Sequence, residues 1–269
     1  MTRTAIIAAR GALPAAIAAQ LSERPLVAVA EGFEPEGLTA DMTFRVERLV
    51  PFLNGLQDAG VGRVVFAGAM ERPRLDPAMF DAATATMVPR LLAALQGGDD
   101  ATLRVVIDIF EEFGFVIAGV EEVAPTLVPA AGAWGCGRTA MDEADAARAM
   151  EIVAALGAVD VGQGAVVQQG LCLAVETLGG TDGMLASLAT IAPLRPDAAK
   201  GRGLFYKAPK PGQDRRIDLP TIGPATVGAA ALAGLGGVVW EAGGVICLDL
   251  PRMEAIAAER DLFLWARQP

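Results

Sequence analysis

TAIIAARGALPAAIAAQLSERPLVAVA, residues 4–30, is the stretch that decides the fold. Thr4 to Ala9 is a short apolar run without polar alternation, the pattern of a strand covered on both faces. Gly11-Ala-Leu-Pro14 punctuates it, an alanine-rich helical stretch runs on to Leu21, and Leu26 to Ala30 repeats the strand pattern. Two buried strands joined through a helix are most simply parallel neighbours in one sheet.

The same grammar continues outward. Arg63 to Ala67 is another short apolar strand, with a helix at about Val50 to Ala59 before it, so the N-terminal half is predicted to be a Rossmann-like parallel sheet. Helical patterns follow at Pro89 to Leu95 and Asp99 to Phe113, the second opened by Asp99 and Asp100, where a helix N-terminus favours negative charge. Between Pro125 and Thr139 the run PTLVPAAGAWGCGRT has no period and is rich in Pro and Gly, which reads as a domain boundary near Gly132. The expected organisation is α/β in two domains: residues 1–132, the Rossmann-like parallel sheet, and residues 133–269, a mixed α/β domain. In the second, Met141 to Leu156 reads as a helix and Ala165 to Glu176 as two strands around a Gln-Gly turn. A helix at Thr181 to Ala192, a weak one at Thr226 to Leu235, strands at Val238 and Val245 and a last helix at Pro251 to Arg260 follow.

Composition removes several kinds of chemistry. The chain of 269 residues contains no histidine, so no imidazole serves as a triad base, a zinc ligand or a phosphohistidine. A metal here is expected on oxygen ligands, which favours Mg2+, Mn2+ or Ca2+. Cys136, Cys172 and Cys247 are odd in number and far apart, giving neither a disulfide framework nor a thiolate motif, and the compartment reads as reducing. A net charge of -10 argues against a nucleic-acid partner. Leu219 to Trp240 is uncharged and long enough to span a membrane, but five glycines and Pro224 argue against a spanning helix. Arg10 and Pro14 interrupt what would be the apolar body of a secretory signal.

Charge is unevenly placed. Arg195 to Arg216 holds seven of the 22 basic residues against two acids, including all three lysines, Lys200, Lys207 and Lys210. Its end overlaps KAPKPGQDRRIDLPTIG, residues 207–223, where Pro209, Pro211 and Pro220 stiffen the backbone around Lys207, Lys210, Gln213, Arg216 and Thr221. Such donors suit phosphate oxygens, Arg through a planar fork and Lys as a mobile point charge, while a solvated basic loop is the plainer reading. Asp218, between Ile217 and Leu219, can bind a divalent cation or orient a water, or can cap a turn before Leu-Pro. Gln163 and Gly164, in DVGQG, offer a ligand a side-chain amide and a close backbone, or form a turn leading into a strand. Thr181 and Asp182 stand at a helix start, where they cap it, line an anion site with their amides, or do both. Gly11 occupies the place of a dinucleotide glycine fingerprint whose other glycines are absent, so a nicotinamide or flavin site is poorly supported.

These blocks carry a resemblance. IIAARGALP, AGAMERP (67–73), GDDATLR (98–104), DVGQGAVVQQGLCLAVE (160–176), GTDGML (180–185) and KAPKPGQDRRIDLPTIG are similar to the UDP-2,3-diacylglucosamine pyrophosphatases of the LpxI type, over nearly the full length. The resemblance implies a two-domain enzyme of lipid A biosynthesis that hydrolyses an acylated UDP-sugar to UMP and a lipid phosphate, with Mg2+ or Mn2+, the ligand lying between the domains. It also implies that the acid of the DLP motif, here Asp218, is the essential one, as catalytic group and metal ligand. It further implies a cytoplasmic protein in transient, peripheral contact with the inner membrane; a homo-oligomer is compatible with the sequence. Family members commonly carry a richer glycine loop where this chain has Ala9 and Arg10. Two rival readings stand beside it: a non-catalytic carrier of an acylated sugar nucleotide or lipid phosphate, using the same basic patch and an apolar cleft, and a nucleotide-dependent oxidoreductase on the Rossmann-like half.

Overall fold

The computed structural model describes residues 2–71, 75–96 and 99–269 and divides the chain into two units. Arg72 and Pro73 of the AGAMERP block and Gly98 of GDDATLR lie outside the described residues. The first unit takes in Met1–Ala124 together with Arg216–Asp218, and the second the remainder, Pro125–Arg215 and Leu219–Pro269.

In the first unit the elements are β1 (Arg3–Ala8), α1 (Leu13–Ala18), β2 (Leu26–Ala30), β3 (Met42–Phe44), α2 (Leu49–Asp58), β4 (Val61–Ala67), α3 (Ala82–Ala85), α4 (Val88–Gln96), α5 (Asp99–Glu112), β5 (Val116–Ile117) and α6 (Val120–Val123). All five strands pair in parallel, in the order β3-β2-β1-β4-β5. Every residue of β2 is buried, as a strand covered on both faces requires. Ile7, Leu53, Leu56, Val64, Ile109 and Phe110 form one core on the α2 and α5 side, and Ile217, from the returning segment, packs against it.

The strand order reverses between β1 and β4, the point where doubly wound sheets open beyond their carboxyl ends. Here the two strand ends are tied together. Ala9 N donates to Ala67 O (2.8 Å), Ala69 N to Arg10 O (2.9 Å) and Arg10 N to Ala69 O (3.2 Å). Gly68 makes the approach possible, since at φ +101° a Cβ would stand 2.5 Å from Ala9 O. Above the tie, the Arg10 guanidinium lies over the Phe33 ring at 5.1 Å and bonds Gly32 O (3.0 Å) and Glu71 (3.1 Å).

The second unit contains β6 (Gly132–Gly135), α7 (Ala140–Ala158), β7 (Gly164–Gln168), β8 (Leu171–Val175), α8 (Gly180–Ser187), β9 (Leu204–Lys207), β10 (Thr221–Ile222), α9 (Pro224–Leu232), β11 (Gly237–Glu241), β12 (Ile246–Cys247), α10 (Leu250–Glu259) and β13 (Phe263–Arg267). Six strands form one mixed sheet, β6-β13-β11-β9-β7-β8, in which β9, β11 and β13 are mutually parallel and β6, β7 and β8 run antiparallel to their neighbours. Side chains alternate between its faces. Val166, Phe205, Val238, Trp240 and Leu264 meet Leu185, Val227 and Met253, whereas Val167, Leu204, Tyr206 and Val239 meet Ala146, Ala149 and Val153 of α7. Trp240 is fully buried and stacks on Trp134 at 5.8 Å.

The expected α/β class, parallel in the first half and mixed in the second, is what the chain adopts. Three strands of the main second sheet went unread in the sequence: β6, β9 and β13. The strand expected at Val245 is a two-residue ladder of β12 with β10, outside that sheet. Leu219 to Trp240 is divided among β10, α9 and β11, and among the described residues no helix is long and apolar enough to cross a membrane.

Gly68→Ala is expected to destabilise the protein by about 3 kcal/mol, since it adds backbone overlap to a left-handed φ. Gly60→Ala, with φ +74° but open space around the added carbon, is expected to cost about 1 kcal/mol. Urea denaturation of the two variants checks the ranking; equal losses would show that the β1–β4 tie does not need the glycine.

Candidate active site

One end of the mixed sheet collects most of the residues singled out in the sequence. Because β9 and β11 are parallel, their carboxyl ends, Lys207 and Glu241, share an edge, and antiparallel β7 begins there with Gly164 opposite Lys207. Strand β8, antiparallel to β7, ends there too, and Glu176 N donates to Gly164 O at 2.8 Å. Helix α8 starts four residues later. Carboxyl ends of parallel strands are where α/β sheets take their ligands.

Lys207 is 7% exposed and lies 3.4 Å from Glu176 Oε2, itself 10% exposed. Thr181 joins them: its hydroxyl accepts from Lys207 Nζ at 2.6 Å and donates to Glu176 Oε2 at 2.8 Å. The N-cap of α8 is Gly179, with no side-chain cap, so Thr181 sits inside the first turn and spends its hydroxyl on the ion pair. Asp182, beside it, is exposed. The glycines of DVGQG have a concrete role here. A Cβ on Gly164 would stand 2.7 Å from Glu176 Oε2, and one on Gly162 would overlap the Glu176 carbonyl. Gln163 O accepts from Ala208 N at 3.1 Å, while its side-chain Oε1 is buried without a hydrogen-bond partner among the described residues. A buried acceptor of this kind calls for a donor from a ligand or a water.

The loop after β9 is built as a tight turn. Lys210-Pro211-Gly212-Gln213 has Pro at its second position, Gly at φ +77° at its third, and Gln213 N donating to Lys210 O at 3.2 Å. The Gln213 side chain closes it, Oε1 accepting from Lys210 N at 2.9 Å. Lys210 Nζ pairs with Asp160 Oδ1 at 2.6 Å. Arg215 pairs with Glu241 at 2.6 Å, and Gly244 leaves room for that carboxylate. Leu219 and Pro220 are buried, and Thr221 pairs with Ile246 in the β10–β12 ladder.

Arg216, Ile217 and Asp218 belong to the first unit, where Arg216 pairs with Glu111 at 2.8 Å and Asp218 is half-buried. Gly11 is also in that unit; it takes φ +98°, with open space where a Cβ would be, and its carbonyl accepts from Glu36 N at 3.2 Å. Thus Gln163, Gly164, Thr181 and Lys207 gather in one cluster, Lys210 and Gln213 share a turn, and Thr221 lies in a separate ladder.

Other cations of the basic stretch hold the fold. Burial lowers the Arg195 guanidinium from its ordinary value, and it donates to Gln168 Oε1 (3.0 Å), Ala233 O (2.5 Å) and Arg202 O (3.3 Å). Arg202 in turn bonds Asp261 O. Thiol chemistry has no primed group, because burial pushes Cys136, Cys172 and Cys247 above the usual thiol range. Glu176 was not singled out in the sequence. Its signal was an acid ending the apolar strand LCLAV with two glycines twelve and fourteen residues before it.

Comparison with known proteins agrees with these blocks. The LpxI N-terminal domain profile matches residues 3–127 and the LpxI C-terminal domain profile residues 131–265. The chain is 42% identical over 220 residues, 80% of its length and 77% of the relative's, to the UDP-2,3-diacylglucosamine pyrophosphatase LpxI of Caulobacter vibrioides. With both profiles matched in order and that identity over most of both chains, the protein belongs to the LpxI family.

Proposed function

We propose that the protein hydrolyses the diphosphate of UDP-2,3-diacylglucosamine to UMP and 2,3-diacylglucosamine 1-phosphate, a step of lipid A synthesis. The observation that carries this reading is the 42% identity over most of both chains to a protein named for that reaction. The sheet end supports it: lysines beside the carboxyl end of β9, a stiff turn and an unsatisfied amide suit a ligand with phosphoryl oxygens and hydrogen-bond donors. In this reading Lys207, Lys210 and Arg216 neutralise charge that develops on the phosphoryl oxygens, and Asp218 orients the attacking water. Gln163, Gly164, Gln213, Thr221, Thr181, Asp182 and Gly11 are the substrate-binding residues of this reading. No histidine is needed, because diphosphate hydrolysis leans on alignment and charge stabilisation.

A divalent cation in this reading would be shared between the protein and the substrate. Among the described residues no three His, Cys, Asp or Glu side chains stand together as a metal cage, so Asp218 would hold Mg2+ or Mn2+ with diphosphate oxygens and water completing the shell. Such an ion supplies charge neutralisation to the phosphoryl oxygens when bound. The acyl chains of the substrate call for transient contact with a membrane surface, which fits a cytoplasmic, peripheral enzyme.

Purified protein incubated with the labelled substrate and Mg2+ is expected to release UMP; return of the intact substrate would make it a carrier instead. Asp218→Ala is expected to lose at least about 100-fold in turnover while keeping the wild-type melting profile. UMP release by that variant at the wild-type rate would remove Asp218 from the chemistry. Chelation with EDTA is expected to abolish turnover and added Mg2+ or Mn2+ to restore it; full activity in excess chelator would reject the metal.

A further inference from the structure

The Lys207–Glu176 pair is an expensive construction for stability alone, since apolar residues of the same volume often serve a fold as well as a buried ion pair does. Yet four separate places in the chain are arranged around it. Gly162 and Gly164 leave the space that Glu176 fills, Thr181 bridges the two charges, and β9 ends at Lys207. The bridge fixes each partner's orientation. Thr181 has its proton committed to Glu176 and its oxygen to Lys207, while among the described residues the ammonium makes one hydrogen bond, to Thr181, and stands 3.4 Å from the carboxylate. With three N–H groups, that ammonium keeps donor capacity for a further oxygen. The unsatisfied Gln163 Oε1 belongs to the residue that precedes Gly164, at the same end of the sheet.

We propose that Glu176 is a positioning residue for the hydrolysis, holding the Lys207 ammonium, directly and through the Thr181 hydroxyl, in one fixed arrangement for a phosphoryl oxygen of the substrate. The inference rests on the hydrolase reading and adds a residue to it. A lysine free to change rotamer would lose that freedom on binding; one already held by a carboxylate and a hydroxyl does not. Glu176 thus acts through Lys207 without touching the reacting atoms.

The test is steady-state kinetics with thermal melts on the full chain, using Glu176→Gln, Thr181→Ser, Thr181→Val, Lys207→Met and the double variant Glu176→Leu/Lys207→Met. Glu176→Gln and Thr181→Val are expected to lower kcat about 10- to 100-fold with KM little changed, and Thr181→Ser, which keeps the bridging hydroxyl, to recover most of what Thr181→Val loses. Glu176→Gln also leaves a buried cation without its charge partner and is expected to melt lower. The double variant has no buried charge to leave unpaired, so it is expected to recover the wild-type melting temperature while remaining as inactive as Lys207→Met. Recovery of activity together with stability in the double variant would show that the pair only packs the sheet end and would overturn the proposal. So would a wild-type kcat in Glu176→Gln. An active wild type with an equally active Glu176→Gln sinks this inference alone, whereas a wild type that releases no UMP sinks the hydrolase reading and this one with it.

Discussion

An ammonium group cannot be buried at the end of a sheet without an opposite charge beside it, and the second unit is arranged around meeting that condition at Lys207. Transfer of an isolated ion from water into protein costs several kcal/mol even after relaxation, of order far above any single packing contact. Glu176 supplies the charge, Thr181 the bridge, and two glycines the space. Each of these comes from a different part of the chain, so the hairpin of β7 and β8, the start of α8 and the end of β9 have to arrive together. The fold of the sheet end and the geometry of the candidate site are therefore one problem.

The same pairing extends along the basic segment. Lys210 meets Asp160, Arg215 meets Glu241 and Arg216 meets Glu111. What reads in the sequence as a concentration of positive charge includes, in the fold, Lys207, Lys210 and Arg215 of the second unit and Arg216 of the first, each supplied with a carboxylate from elsewhere, whereas Arg195 is held by Gln168 and backbone carbonyls. In the proposed reading a diphosphate would not meet a bare positive field at Lys207 and Lys210. It would compete with carboxylates for donors already aimed, and a phosphoryl group carries more charge and more acceptor oxygens than a carboxylate. In an acidic protein such pairing keeps these cations ordered without a ligand.

The βα grammar of the first unit was legible because its strands are continuous apolar runs between Gly and Pro punctuation: Leu26–Ala30 is β2 to the residue, and Arg63–Ala67 lies within β4. Strands β9 and β13 escaped because each ends in a cation and begins close to a Gly or Asp turn, so LFYK and FLWAR look like loop boundaries until the sheet buries them. Lys207 illustrates the difficulty best. Its charge argues for solvent in the sequence, and only the long-range pairing with Glu176 reverses that argument. The candidate residues of DVGQG, GTDGML and the lysine segment were visible by type, but the reason for the glycines was not. They read as space for a ligand's approach, and the fold shows Gly164 as space for the Glu176 carboxylate and Gly162 as space for the Glu176 backbone carbonyl. Residues that act by leaving room carry no signature of what will fill it.

Register gives the last link. Along β7 and β8 the partners Gln168–Leu171 and Val167–Cys172 follow one register, and Val166–Ala174 and Ala165–Val175 follow another shifted by one, so Leu173 is an extra residue on β8. A bulge of this kind re-aims everything beyond it. In the unshifted register Val175, and not Glu176, would stand beside Gly164, and the carboxylate would move by one residue along an alternating strand, which carries a side chain to the opposite face. The bulge at Leu173 therefore decides that Glu176 meets Lys207 and Thr181. It also bends and twists an otherwise apolar edge strand, which discourages pairing with another chain along β8. A single inserted residue in LCLAV thus ties the register of the hairpin, the protection of a sheet edge and the placement of the buried charge to one another.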